Sequence, residues 1–221
     1  MIRSFYAALW LMLALAACSS GPKPANWQLE AKAAMDRSVA AYLEGNSRVE
    51  AVELARARAE ISSTGRVDLM ARAELLHCAS HVASLVFEPC TGFEKLRADA
   101  PAAEKAYADY LAARLQPQDA ALLPPQQRAV VQDAGDTAIR SMTEPLSQLV
   151  AAGVALQSGR ASPGIIQLAV DTASAQGWRR PLLAWLGVQL ALAEKPGGDT
   201  GQAASLRRRI ELTLGDVKAK R

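Results

Sequence analysis

A chain of 221 residues with 25 Lys+Arg against 22 Asp+Glu carries a formal net charge of only +3. That balance excludes the strong basic excess of a dedicated nucleic-acid binder, and no nucleic-acid partner is expected. Aromatic residues make up 5% of the chain and alanine is abundant; Ala-rich sequence with Leu, Arg, Glu and Gln is helix-favouring and packs helices closely through small contacts. Three cysteines and two histidines confine any disulfide or metal chemistry to very few positions.

The chain opens with Arg3, an apolar run from Phe5 to Ala17, and then small residues. The run has signal-peptide length, about 13 residues, and falls short of the ~20 that a membrane-spanning helix needs. The polar, Pro-rich Ser19-Ser20-Gly21-Pro22-Lys23-Pro24 after it does not extend a span. Leu15-Ala16-Ala17-Cys18 resembles the lipobox of bacterial lipoprotein precursors, a Leu and two small residues before an obligatory Cys. The resemblance implies that the Cys18 thiol takes a diacylglycerol and that a peptidase cuts before it, leaving a lipid anchor in place of the leader. Three acyl chains, as such proteins carry, hold far more firmly than one, at ~0.8 kcal/mol per buried CH₂. By the same resemblance, Ser19 in the second position implies an outer-membrane address, with the domain facing the periplasm. Residues 1–17 are thus expected to be a cleaved signal peptide and residues 18–25 a lipidated tether.

From Trp27 the apolar residues recur at helical spacing. A first helix is predicted over Trp27 to Leu43. The turn Glu44-Gly45-Asn46-Ser47 follows, with Ser47 as N-cap and Glu50 completing a capping box. A second helix runs from Arg48 to about Ser62, and a third, capped by Asp68, to about Leu85. A short helix through Ala98 comes next, then one over Ala102 to Leu115 that Pro101 introduces. Leu122-Leu123-Pro124-Pro125 breaks the pattern and divides the helical region into residues 26–123 and 124–221. Helices are predicted over Gln126–Asp133, over Thr137–Gln157 with a kink or split at Pro145, and over Ile165–Gln176, Pro181–Glu194 and Gln202–Leu214. No segment alternates apolar and polar residues in strand fashion, so the fold class is all-α, an array of antiparallel helix hairpins. Turns near Gly45, Gly159 and Gly197, the last two about 37 residues apart, are similar in period to tetratricopeptide-type helical repeats. Trp185-Leu186-Gly187 followed by Ala203-Ala204 is the nearest echo, and no one unit reproduces the whole motif.

With Cys18 committed to lipid, Cys78 and Cys90 remain for a disulfide in an oxidising compartment, the alternative being two buried free thiols. Their loop would contribute roughly 3 kcal/mol, on the condition that the third helix ends or bends near Leu85. Glu88-Pro89 favours such an ending. Glu74, His77, Cys78 and His81 share one side of that helix. His77 and His81, at i and i+4, could hold a metal with Cys78 or Glu74 as a third ligand. The reading adopted is a solvated face whose cysteine is disulfide-bonded, with no metal, no cofactor and no catalytic residue assigned. Pro196-Gly197-Gly198-Asp199-Thr200-Gly201 lacks the Lys-Ser/Thr ending of a phosphate loop and reads as a connection between helices. Trp178, Leu182, Leu183, Trp185 and Leu186 read as core, and Arg207-Arg208-Arg209 as a solvated basic end. The sequence thus points to a membrane-anchored envelope lipoprotein serving as a helical adaptor for a protein partner. The competing reading is an envelope enzyme that uses His77 and His81 with a metal.

Overall fold

The structure, a computed structural model, describes residues 24–133 and 136–219. The expected signal peptide, Cys18 and most of the expected tether lie outside the described residues. Everything described is helix, turn or loop, so the all-α class holds, and among the described residues no helix is long and apolar enough to cross a membrane.

Helix α1 (Asn26–Glu44) packs along α2 (Ser47–Ser62). Gly45, at φ +90°, ends α1 by sending its N–H to Tyr42 O (2.9 Å) while Asn46 N reaches Ala41 O (2.7 Å). This left-handed closure suits glycine. Asn46 then caps α2, its side chain accepting from Val49 N at 3.2 Å. The N-cap is therefore Asn46 and not Ser47, and the expected Ser47–Glu50 capping box does not form. Ala31, Ala34, Met35, Leu54, Ala57 and Ile61 join Ala73 of the next helix in a small apolar cluster. The alanines among them let the two helices approach closely.

Helix α3 (Val67–Ala83) is packed against α1, α2 and three further elements. Asp68 does not cap it; the carboxylate pairs with Arg66 instead, at 2.6 Å. Leu85 N bonds Val82 O and Val86 N bonds His81 O, both at 3.0 Å, with Leu85 at φ +60°. The helix thus ends where the disulfide requires. The chain turns back, and Cys90 meets Cys78 at disulfide distance, Cα–Cα 5.8 Å, inside the range such bonds adopt.

Short α4 (Thr91–Glu94) buries Phe93 completely, and α5 (Ala102–Leu111) follows Pro101. Helix α5 stops four residues before the expected Leu115. Ala113, at φ +53°, closes it in the left-handed manner, with Arg114 N on Asp109 O at 2.9 Å. A 3-10 turn (Pro117–Leu122) leads to α6 (Pro125–Asp133) and α7 (Asp136–Arg140). Pro145 occupies the first turn of α8 (Pro145–Gln157), so the long predicted helix is split there, and the Glu144 side chain caps the new start. In α8 every residue from Gln148 to Ala155 is buried, as expected of a helix apolar around its whole circumference. Gly153 lets α8 come very close to α3: a Cβ at this position would lie 2.5 Å from Val82 O.

Helices α9 (Pro163–Ala175), α10 (Arg179–Ala193) and α11 (Thr200–Ala219) pack consecutively. Trp185 is fully buried and donates from Nε1 to Ala83 O at 3.1 Å, tying α10 to the end of α3. Leu186 is buried beside it, as expected of core. One continuous apolar core runs from Ala71 to Leu206 across the break at Leu123-Pro124. The glycine-rich loop connects α10 to α11, with Asp199 accepting from Gln202 N at 2.9 Å.

Candidate functional site

The polar side of α3 faces α2, and that placement corrects the expectation of a solvated face. Glu74 is only 4% exposed. Arg58 of α2 grips it with two hydrogen bonds, Nε to Oε1 at 2.6 Å and Nη2 to Oε2 at 2.7 Å. Gly92 leaves the room this carboxylate occupies, since a Cβ there would fall 1.9 Å from Glu74 Oε2. The pairing holds the Arg58 guanidinium above even its ordinary value, the Glu74 hydrogen bond being the main cause. A buried carboxylate without such a partner would be costly.

One turn further along α3, His77 and His81 converge on Glu50 from the first turn of α2. His77 Nε2 lies 3.0 Å from Glu50 Oε1 and His81 Nε2 lies 3.6 Å from the same oxygen. The carboxylate accepts a hydrogen bond from His77, while His81 Nε2 is buried with no hydrogen-bond partner in the protein. Glu50 is 9% exposed, and the buried Ser38 hydroxyl of α1 donates to its backbone carbonyl at 3.1 Å. The Tyr42 ring stacks on His81 with centroids 4.2 Å apart, and the Arg180 guanidinium packs 4.0 Å from the Tyr42 centroid. Arg180 also donates to Ser47 Oγ at 2.7 Å, so α10 clamps the α1–α2 turn. Burial holds the His81 imidazole below its usual range, with the neighbouring His77 acting in the same direction and Glu50 opposing. Burial likewise raises the Tyr42 phenol, against the pull of Arg180.

The two histidines open onto a cavity of about 440 Å³, also lined by Arg58, Glu74, Cys78, Glu94 and Arg114. Neither third ligand proposed from sequence is free. Cys78 sits at disulfide distance from Cys90, and Glu74 is held by Arg58. The carboxylate that reaches the histidines is Glu50, which sequence reading had placed in a helix cap. Only its chemical type was a signal, because 27 residues separate it from His77.

A second concavity, a groove of about 790 Å³, runs between α3, α5 and the 3-10 turn. Leu75, Leu76, Tyr107, Leu122, Leu123, Pro124 and Pro125 form its apolar lining. Leu122 is 41% exposed. Glu104, at 6% exposure, lines the same groove. Its Oε1 accepts from Arg72 Nε at 2.6 Å, whereas its Oε2 is buried without a partner. Glu104 gave no sequence signal, being one acidic residue among many in a first helical turn. Protein-family models, curated proteins and solved structures were compared with the chain, and none matches.

Proposed function

We propose that the chain is a lipid-anchored envelope protein whose helical domain acts as an adaptor, seating an apolar segment of a protein partner in the groove between α3 and α5. In this reading the lipobox-like Leu15-Ala16-Ala17-Cys18 supplies an outer-membrane anchor, the domain faces the periplasm, and the antiparallel helix pairs present the surface. The Cys78–Cys90 pair suits such an oxidising compartment.

The observation that carries the binding half is the groove's composition. It is an apolar wall with one exposed leucine, Leu122, and one buried acceptor, Glu104 Oε2, that the protein leaves unserved. Buried acceptors are normally paired. The complementary ligand is an apolar peptide segment that brings a single N–H or ammonium donor, and recognition of that kind reads side-chain anchors in a groove.

A photo-crosslinking residue introduced at Leu122 or Gln126 in intact cells tests this reading, with Val52 on the exposed side of α2 as the control position. A defined protein captured from the groove positions only, dependent on Cys18 and bound again when both proteins are purified, supports it. Equal capture from position 52, or none from the groove under conditions that trap known envelope complexes, contradicts it.

A further inference from the structure

We propose that Glu50, His77 and His81 form a site for a divalent transition metal of the zinc class, beside the cavity that the two histidines line. The inference is independent of the groove and its occupant. Two imidazole nitrogens and one carboxylate oxygen are a donor set that suits zinc, cobalt and nickel ions. The spacing fits as well. Tetrahedral zinc with bonds of about 2.0–2.1 Å has its ligand atoms about 3.3 Å apart. Here the carboxylate oxygen stands 3.0 and 3.6 Å from the two Nε2 atoms, and one donor atom from each residue lies within 4.8 Å of the others.

A second observation points to a cation rather than to a hydrogen-bonded triad. One proton between His77 Nε2 and Glu50 satisfies only that pair. His81 Nε2 is left buried and unpartnered, 3.6 Å from an anionic oxygen. A cation at the centre would serve all three donors at once. The proton on His77 Nε2 would then pass to Nδ1, so the imidazole changes tautomer and remains neutral.

The donors are also held in place. His77 and His81 sit one turn apart on α3, Tyr42 stacks on the His81 ring, and Ser38 holds the Glu50 backbone. Such support is what a preorganised site requires. The histidines line the 440 Å³ cavity. Glu50 closes the site from the α2 side, away from that cavity, so a water or an anion completing the coordination would enter from the side of the histidines.

The test uses the tag-free full chain, stripped with a chelator and titrated first with Co(II) alone and then with Zn(II). One equivalent of Co(II) is expected to saturate the protein and give visible absorption of low coordination number, which Zn(II) abolishes by displacement. Glu50→Gln, which keeps side-chain size and hydrogen-bonding capacity, and His81→Gln should each lose that saturable step, while Glu94→Gln at the cavity rim keeps it. Circular dichroism checks that each variant is folded, and the wild-type titration decides even where a variant is not. Absence of saturable Co(II) binding by folded wild-type protein, or equal binding by folded Glu50→Gln, overturns the proposal.

Discussion

Helix α3 has two sides that are buried by opposite means. Toward α8 it presents Leu75, Ala79 and Val82 to an apolar wall, and Gly153 brings the two backbones close together. Toward α2 it presents Glu74 and His77, which hydrogen-bond Arg58 and Glu50 of that helix, and His81, whose Nε2 stands 3.6 Å from Glu50 without a hydrogen bond. The first side is held by shape and excludes any added atom. The second is held by partners, and its stability depends on both members being present. A helix buried on both sides has no solvated stripe, and for that reason α3 carries little amphipathic signal despite its central position.

That contrast can be broken most severely on the apolar side. Gly153→Leu should destabilise the protein by about 3 kcal/mol or more, because the new side chain has backbone in its way and no rotamer avoids it. Urea unfolding followed by circular dichroism measures this. Next comes the loop that pins the end of α3. Cys78→Ser together with Cys90→Ser should cost about 3 kcal/mol and leave the native fold intact at low temperature. Peptide mapping without reductant should recover the two cysteines in one linked pair.

On the polar side, Arg58→Ala should cost about 2 kcal/mol, less than for a wholly enclosed pair because the arginine is 42% exposed. Replacing both partners, Arg58→Met with Glu74→Met, should recover most of that loss, since no charge is then stranded. A failure to recover would mean that Glu74 serves something besides Arg58. The smallest effect belongs to the outer α1–α2 surface. The Arg37 hydrogen bond holds the Glu53 carboxyl below its ordinary value, so any contribution is present at neutral pH and is lost as pH falls through the lowered pKa. Because Arg37 is 45% exposed and the pair lies at the surface, Arg37→Gln should lower the neutral-pH melting temperature only slightly, and the difference from wild type should vanish below the lowered pKa.

Much of the fold was legible because its helix boundaries are set by local chemistry. Pro145 splits the long helix as its ring demands, and Gly45 and Gly159 close α1 and α8 in the left-handed conformation. Glu88-Pro89 pointed to the chain reversal that brings Cys90 to Cys78, although the residue adopting positive φ is Leu85, which its type did not signal. The ending of α5 at Ala113 was missed for the same reason. Half of the candidate site was legible. His77 and His81 announced themselves by spacing, but Glu50 was assigned to a cap three residues after Ser47. The true cap is Asn46, which frees the Glu50 side chain to cross to α3. No local pattern encodes a meeting between two helices; it follows from how α1 and α10 fix the start of α2.

The most direct test of the account is whether Glu50 of α2 meets both histidines of α3. The chain contains only two histidines, so protein labelled with ¹⁵N-histidine gives two ring systems by nuclear magnetic resonance. Glu50→Gln should shift the Nε2 signals of both rings, while a uniformly ¹⁵N-labelled sample shows the backbone spectrum of α8 in place. Ring signals that do not move in a folded Glu50→Gln protein would contradict the convergence of α2 and α3 on which the site rests.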